Sequence, residues 1–340
     1  MEIQTAYVPY NYIVFKMALN TINKRLKLHK NIKPLNQQQK AHLYLLFVSF
    51  FLGLSFPFLK WSTDYLSIEA LLAWRFFVAA AVCSLFIPRG ILRNISVLAH
   101  LKPLVKGAFL MSTVLFLAFW LQIEGLKYTS ASHCTFITAF YCVFTPLLSF
   151  LIGRDKLGLR LSGSILISFL GLYFLSYQPG TTFNYGDFLT LLCALCVSAH
   201  IIFTDKYSRQ CDVSVLNAFQ LWGMTFYACV LLAYQGFPPF VKHGTVPLLT
   251  LIELILFLGI PATALFFWVQ TSQQKYTTPS YVALILLMEP VFGAIASGVI
   301  LLERLSPREL FGAMLILSGL ILSQLKFKKD AFSFLQKNIP

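Results

Sequence analysis

Two charged residues stand where a chain this apolar can least accommodate them. Arg75 lies eight residues beyond Ser67 in an apolar run, and Glu289 sits mid-run in Leu287-Met288-Glu289-Pro290. Each such group costs about 2.5–3.5 kcal/mol in hydrocarbon on insertion scales, so it is retained for a use. Arginine does not deprotonate, and must meet water, a carboxylate or an anionic solute group. Two readings of Arg75 stay open: a substrate or gating cation, or a cation that locks two helices. Glu289 precedes Pro290, which lacks an amide donor and so frees a carbonyl in the preceding turn. A carboxylate that gains and loses a proton there suits a proton-coupled carrier; the alternative is a permanent bond to a neighbouring helix.

Other polar or aromatic residues in apolar runs are candidates of a second rank. Trp74 adjoins Arg75, and His200 is the lone histidine of its segment. Trp120 and Gln122 recur as Trp268 and Gln270, which points to interfacial anchoring or gating. His133 and His200 lack acidic or cysteine companions at ligand spacing, so no metal is expected. Seven cysteines, at 83, 134, 142, 193, 196, 211 and 229, lie mostly within apolar runs and read as packing residues.

The segments holding these residues are long and apolar. The chain is 57% hydrophobic and 12% charged, against about 25% charged in soluble domains. Runs of about 20 apolar residues match the thickness of a bilayer core and must be helical there. The sequence predicts an all-α membrane protein with ten transmembrane helices: 42–59, 67–87, 104–123, 130–152, 159–177, 185–204, 213–235, 248–270, 279–301 and 309–325. Residues 1–40 and 326–340 read as basic cytoplasmic tails, with the start of the native chain at Met1 or Met17 both open. The net charge of +14 is spread over segment ends, which reads as membrane orientation and argues against a nucleic-acid partner. With the amino terminus cytoplasmic, only Lys60, Lys127, Lys242, Arg304 and Arg308 fall outside, so both termini are expected inside. Asn94-Ile95-Ser96 has the glycosylation pattern but falls on the inner side.

The chain also repeats itself. Adding 148 carries Phe119, Trp120 and Gln122 onto Phe267, Trp268 and Gln270. The same offset carries Lys127-Tyr128-Thr129 onto Lys275-Tyr276-Thr277, Asp155-Lys156 onto Glu303-Arg304, and Gly171 onto Gly319. Tyr141 is the mate of Glu289, which makes it a further site candidate. Five segments per copy, at 41–178 and 184–325, invert the second copy relative to the first. Inverted repeats around a midplane site are transporter architecture. Gly163, Ser164, Ser168 and Gly171, with Gly312, Ser318 and Gly319, are spaced for close helix packing.

These motifs resemble the drug/metabolite transporter superfamily, specifically its ten-helix members built from two EamA-type repeats. The resemblance rests on Met288-Glu289-Pro290-Val291-Phe292, Leu302-Glu303-Arg304-Leu305-Ser306 and Gly312 to Gly319. In the first half it rests on Tyr141 to Pro146 and Gly153-Arg154-Asp155-Lys156, with Asp-Lys standing for the usual Glu-Arg. Arg75 falls where that family commonly carries an arginine. The resemblance implies a solute cavity between helices one to four and six to nine, with five and ten peripheral, and no cofactor.

The function expected is a secondary transporter of a small organic metabolite, an amino acid or related zwitterion, across a bacterial inner membrane. Coupling is by proton-driven export or by solute exchange. S-adenosylmethionine uptake or exchange is the alternative. Arg75 suits a carboxylate, and the 33 Phe, 15 Tyr and 5 Trp suit an apolar or cationic remainder. An intramembrane lipid-modifying enzyme would need clustered nucleophiles, paired acids or metal ligands, and the sequence offers none. No GxxxxGK[ST] run is present for ATP binding. The partners expected are the solute and the bilayer, and a homodimer is compatible with the sequence.

Overall fold

The computed structural model describes residues 35–324, except 88–100, 127, 129–133, 135–136, 155, 157, 177–183, 242–245 and 301–305. The proposed tails at 1–34 and 326–340, His133, Lys127, Asp155, the Asn94 site and the Glu303-Arg304 loop therefore lie outside the described residues.

The architecture is helical. In chain order the principal elements are α1 (Gln37–Tyr65), α2 (Ile68–Leu85), α3 (Leu101–Leu126), α4 (Tyr141–Leu151) and α5 (Leu159–Ser176). They continue with α6 (Tyr185–Ser208), α7 (Val213–Tyr234), α8 (Leu248–Gln274), α9 (Pro279–Ile300) and α10 (Pro307–Gln324). Seven helices among the described residues are long and apolar enough to cross a membrane: all except α4, α5 and α10. α4 and α5 are shorter apolar helices. Among these residues the only β pairing is an isolated bridge between Leu66 and Val241.

Helix starts follow local side-chain chemistry. Within residues 35–40, Asn36 and Gln39 exchange backbone and side-chain hydrogen bonds at the start of α1. Asn184 and Asp187 do the same for α6, and Ser306 and Glu309 for α10. Asp212 accepts from the amides of Ser214 and Val215 at α7. Each device satisfies amides that a helix start leaves without intrahelical partners.

Prolines mark the irregular spans. α8 passes through a π-helical turn over Ile260–Leu265, where Pro261 cannot donate to the ladder. α9 is continuous neither as expected nor as composition suggests: it is α-helical over Pro279–Leu286 and Met288–Ile300, interrupted at Leu287. Pro290 has no amide for the Leu286 carbonyl, which accounts for the break. The fourth segment also differs from expectation. It is helical at Cys134, Ile137 and Thr138, turns at Ala139-Phe140, and is helical again over Tyr141–Leu151 with Pro146 inside.

α5 and α10 pack on each other through small residues. A Cβ on Gly171 would meet the Gly312 carbonyl at 2.6 Å and the Ile316 amide at 2.7 Å. A Cβ on Gly319 would meet the Ser164 carbonyl at 2.7 Å and the Ser168 amide at 3.0 Å. Under the 148-residue offset these are the same contact made twice, as at an isologous interface. A related pair joins other helices. Gly223 of α7 rests on Ser112 of α3, while Gly259 of α8 rests on Val78 and the Arg75 carbonyl of α2. The principal core is built from residues of every helix from α1 to α10, including Phe76, Leu221, Leu284 and Ile316.

Candidate solute cavity

A cavity of about 150 Å³ lies among α1, α2, α3, α4, α6, α8 and α9. Arg75, Glu289, Tyr141, His200, Gln122 and Gln270 all line it. Its lining obeys the repeat: it includes Ala118, Phe119, Gln122, Thr138 and Tyr141 together with their mates Phe266, Phe267, Gln270, Leu286 and Glu289.

Arg75 is 2% exposed and is held from α8. Its Nε donates to the Thr263 hydroxyl at 2.7 Å, and its Nη2 donates to the Ala262 carbonyl at 3.3 Å. Thr263 in turn donates to the Leu258 carbonyl at 2.7 Å. The π turn thus supplies both acceptors, and Gly259 lets α2 approach closely enough to use them. The guanidinium lies 5.7 Å from the Phe119 ring centroid, within cation–π range. Among the described residues its Nη1 takes part in no hydrogen bond.

Glu289 is half-buried at the start of the second piece of α9. Among the described residues its carboxylate takes part in no hydrogen bond and no ion pair. Arg75 is close enough for the two charges to act on each other, but they form no salt bridge. Gly53 of α1 packs directly over the backbone here, its Cβ position only 2.8 Å from the Glu289 carbonyl. Tyr141 is buried on α4. His200 stands edge-on to Phe267 at 5.8 Å and 3.5 Å from the Thr204 hydroxyl.

The expected tryptophan–glutamine pairs separate by position. Trp120 and Trp268 are 38% and 41% exposed, while Gln122 and Gln270 two residues later line the cavity. Trp74 is 50% exposed and stands edge-on to Phe77 at 6.0 Å, on the outer surface of α2. The helical step from Trp74 to Arg75 turns one residue outward and the next inward.

One turn beyond His200, a polar cluster ties the helix ends together. Asp205, 3% exposed, accepts from Arg154 at 2.5 Å and from Arg209 at 2.9 Å. Arg209 also donates to the Thr277 carbonyl at 3.3 Å, and His42 bonds the Thr277 hydroxyl at 2.7 Å. Gln274 donates to the Ile201 carbonyl across α6 and α8. Sequence reading missed Asp205, Thr263 and Phe119. Pro261 beside Gly259 was the available signal for the turn that presents Thr263.

A family model described as the EamA-like transporter family matches residues 39–177 and again 184–325. The chain belongs to the EamA-like transporter family. An uncharacterized transporter of Archaeoglobus fulgidus is 34% identical over 84% of this chain and 86% of its own length. The uncharacterized transporter YcxC of Bacillus subtilis is 24% identical over 86% of this chain and 96% of its own. One crystal structure aligns with TM-score 0.68 and 18% identity over 84% of this chain and 96% of that one, a likeness of fold alone. The protein is a multi-pass integral membrane transporter built from two EamA-like repeats, and family and relatives indicate transport rather than catalysis. Among the described residues no cluster of His, Cys, Asp or Glu could hold a metal ion.

Proposed function

We propose that this transporter is a secondary carrier for a small zwitterionic metabolite, an amino acid or close relative, across a bacterial inner membrane. The observation that carries the reading is a small cavity, lined by mated residues of both repeats, holding one fixed cation and one carboxylate without an internal partner. Opposite charges in an apolar, aromatic chamber suit a solute bearing both charges. The repeats are taken as inverted five-helix units, each traversing the cavity wall with its first four helices. Glu289 is the coupling group, protonated in one half of the cycle, so that export is proton-driven or like solutes exchange. A purely cationic solute gains nothing from Arg75 and is repelled by it. An S-adenosylmethionine-like solute meets the same charge requirements but needs more room than about 150 Å³ provides, so the cavity would have to widen for it.

The test is uptake and counterflow in proteoliposomes across amino acids, purely cationic solutes and S-adenosylmethionine. Arg75→Lys keeps charge but loses the planar fork that holds Thr263 and a carboxylate together. Partial loss of zwitterion transport is expected with Lys, and about a tenfold loss or more with Gln. Normal zwitterion transport by Arg75→Gln would leave Arg75 as a lock between α2 and α8. The Thr263 and Ala262 bonds are the observation that favours that second reading.

A further inference from the structure

The two glutamines of the cavity are repeat mates but differ in one respect. Gln122 donates its Nε2 to the Thr138 hydroxyl at 3.2 Å. Residue 286, the mate of Thr138, is Leu286, which lines the cavity with no hydroxyl to offer. Gln270 is 2% exposed, and its Oε1 is buried with no hydrogen-bond partner. A buried amide oxygen left without a donor costs free energy that the fold does not recover internally. The second repeat therefore carries a buried acceptor without a partner among the described residues, and no hydroxyl at position 286 that could donate to it.

That acceptor is not alone. Glu289, on the same side of the cavity, is a carboxylate with no hydrogen bond or ion pair to the protein. Phe266 and Phe267, both buried, stand beside them on α8. Two unfilled acceptors and two ring faces form a receptor for a hydrogen-bond-donating cation. The cation of the cavity itself does not fill it, because Arg75 spends its Nε and Nη2 on Thr263 and Ala262.

We propose that Gln270 and Glu289 form the ammonium subsite of the solute, and that Leu286 keeps the Gln270 oxygen free for it, since a hydroxyl at position 286 could donate to that oxygen in the solute's place. This rests on the zwitterion reading and adds to it which repeat reads which end. The second repeat receives the ammonium, and Arg75 of the first repeat receives the carboxylate. An ammonium offers one N–H to Gln270 Oε1 and another to Glu289. A solute lacking the amine leaves both acceptors buried and unpaired, which is the stronger source of discrimination.

The discriminating variant is Leu286→Thr, which places a hydroxyl beside Gln270 as Thr138 does beside Gln122. The full chain in phosphatidylcholine nanodiscs is screened by thermal shift against the twenty standard L-amino acids. The best binder is then titrated beside its des-amino acid and its decarboxylated amine. Wild type is expected to bind the amino acid more tightly than the des-amino acid by about tenfold or more. Leu286→Thr and Gln270→Leu should each weaken the amino acid by about fivefold or more while leaving the des-amino acid unchanged. Thr138→Leu, the mirror change, should leave that preference intact. Equal loss for the amino acid and the des-amino acid in Leu286→Thr would overturn the subsite, as would unchanged affinity for both. Failure of wild type to bind any amino acid would overturn the zwitterion reading, and this inference with it. Binding that is selective for the amine but insensitive to both residue changes would sink this inference alone.

Discussion

At the residue scale, the two intramembrane charges were legible because burial makes a charge expensive, whatever surrounds it. Their partners were not. Thr263 and Phe119 reach Arg75 from segments 188 and 44 positions away in sequence, and nothing local to either residue marks it as a ligand. On the proposed reading Glu289 is the group that exchanges a proton. Among the described residues its carboxylate takes part in no hydrogen bond or ion pair, Pro290 opens the backbone beside it, and Gly53 brings α1 over the same turn. Glu289→Gln keeps size and hydrogen bonding but removes ionisation. It is expected to insert and fold normally, since no protein contact of the carboxylate is lost. Transport driven by a proton gradient should fall by about tenfold or more, its dependence on pH flattened, while solute exchange without a gradient falls less. The measurement is initial rate against pH in proteoliposomes, with and without an imposed gradient. An unchanged pH profile would remove Glu289 from coupling.

At the element scale, helix existence was legible and helix regularity was not. Hydrophobic length locates the seven described helices long enough to cross a membrane, because a bilayer leaves a long apolar run only the helical option. The π turn of α8, the Leu287 break in α9 and the turn at Ala139-Phe140 in the fourth segment depend on which carbonyls find a partner across the bundle. Prolines flagged each of them without specifying the outcome. Small-residue spacing is more informative, since it predicted close helix packing at Gly171 and Gly319, though not which two helices meet there. Gly171 is within 2.6 Å of the Gly312 carbonyl at its Cβ position, and backbone cannot move aside cheaply. Gly171→Ala should therefore destabilise by about 1–3 kcal/mol through overpacking. Gly319→Ala should do comparable damage, because it makes the mated contact. Gly163→Ala is the control: its Cβ position meets nothing within 4 Å, so the change should be neutral or slightly stabilising. Thermal midpoints of the three variants in detergent decide the matter, and equal midpoints for Gly163→Ala and Gly171→Ala would count against close packing there.

At the scale of the whole molecule, the duplication was the most legible feature, because an offset of 148 needs no gap to align distant residues. The structure adds a geometric counterpart. Contacts between α5 and α10 are reciprocal under the offset, and five residues of one repeat and their five mates line the same cavity. Reciprocal contacts of this kind are those a two-fold axis produces. On the proposed five crossings per copy, that axis would lie in the membrane plane and turn the second copy over. The offset also shows where the copies diverge, Tyr141 against Glu289 and Thr138 against Leu286; what it could not reveal is that all four line one cavity. The inversion has a direct consequence for the two charged loops. On the proposed inversion, the loop at Arg154-Asp155-Lys156 and its mate at Glu303-Arg304 are expected on opposite sides of the membrane, the first on the same side as both termini. A cysteine placed after Arg160 and one placed after Arg308, each in a variant whose native cysteines are serine, should react with an impermeant maleimide from opposite faces of oriented vesicles. The Arg308 position should label from outside in intact cells, and the Arg160 position only after permeabilisation. Labelling of both from one face would require an even number of crossings between them, and the inverted arrangement, with the shared midplane cavity it implies, would have to be abandoned.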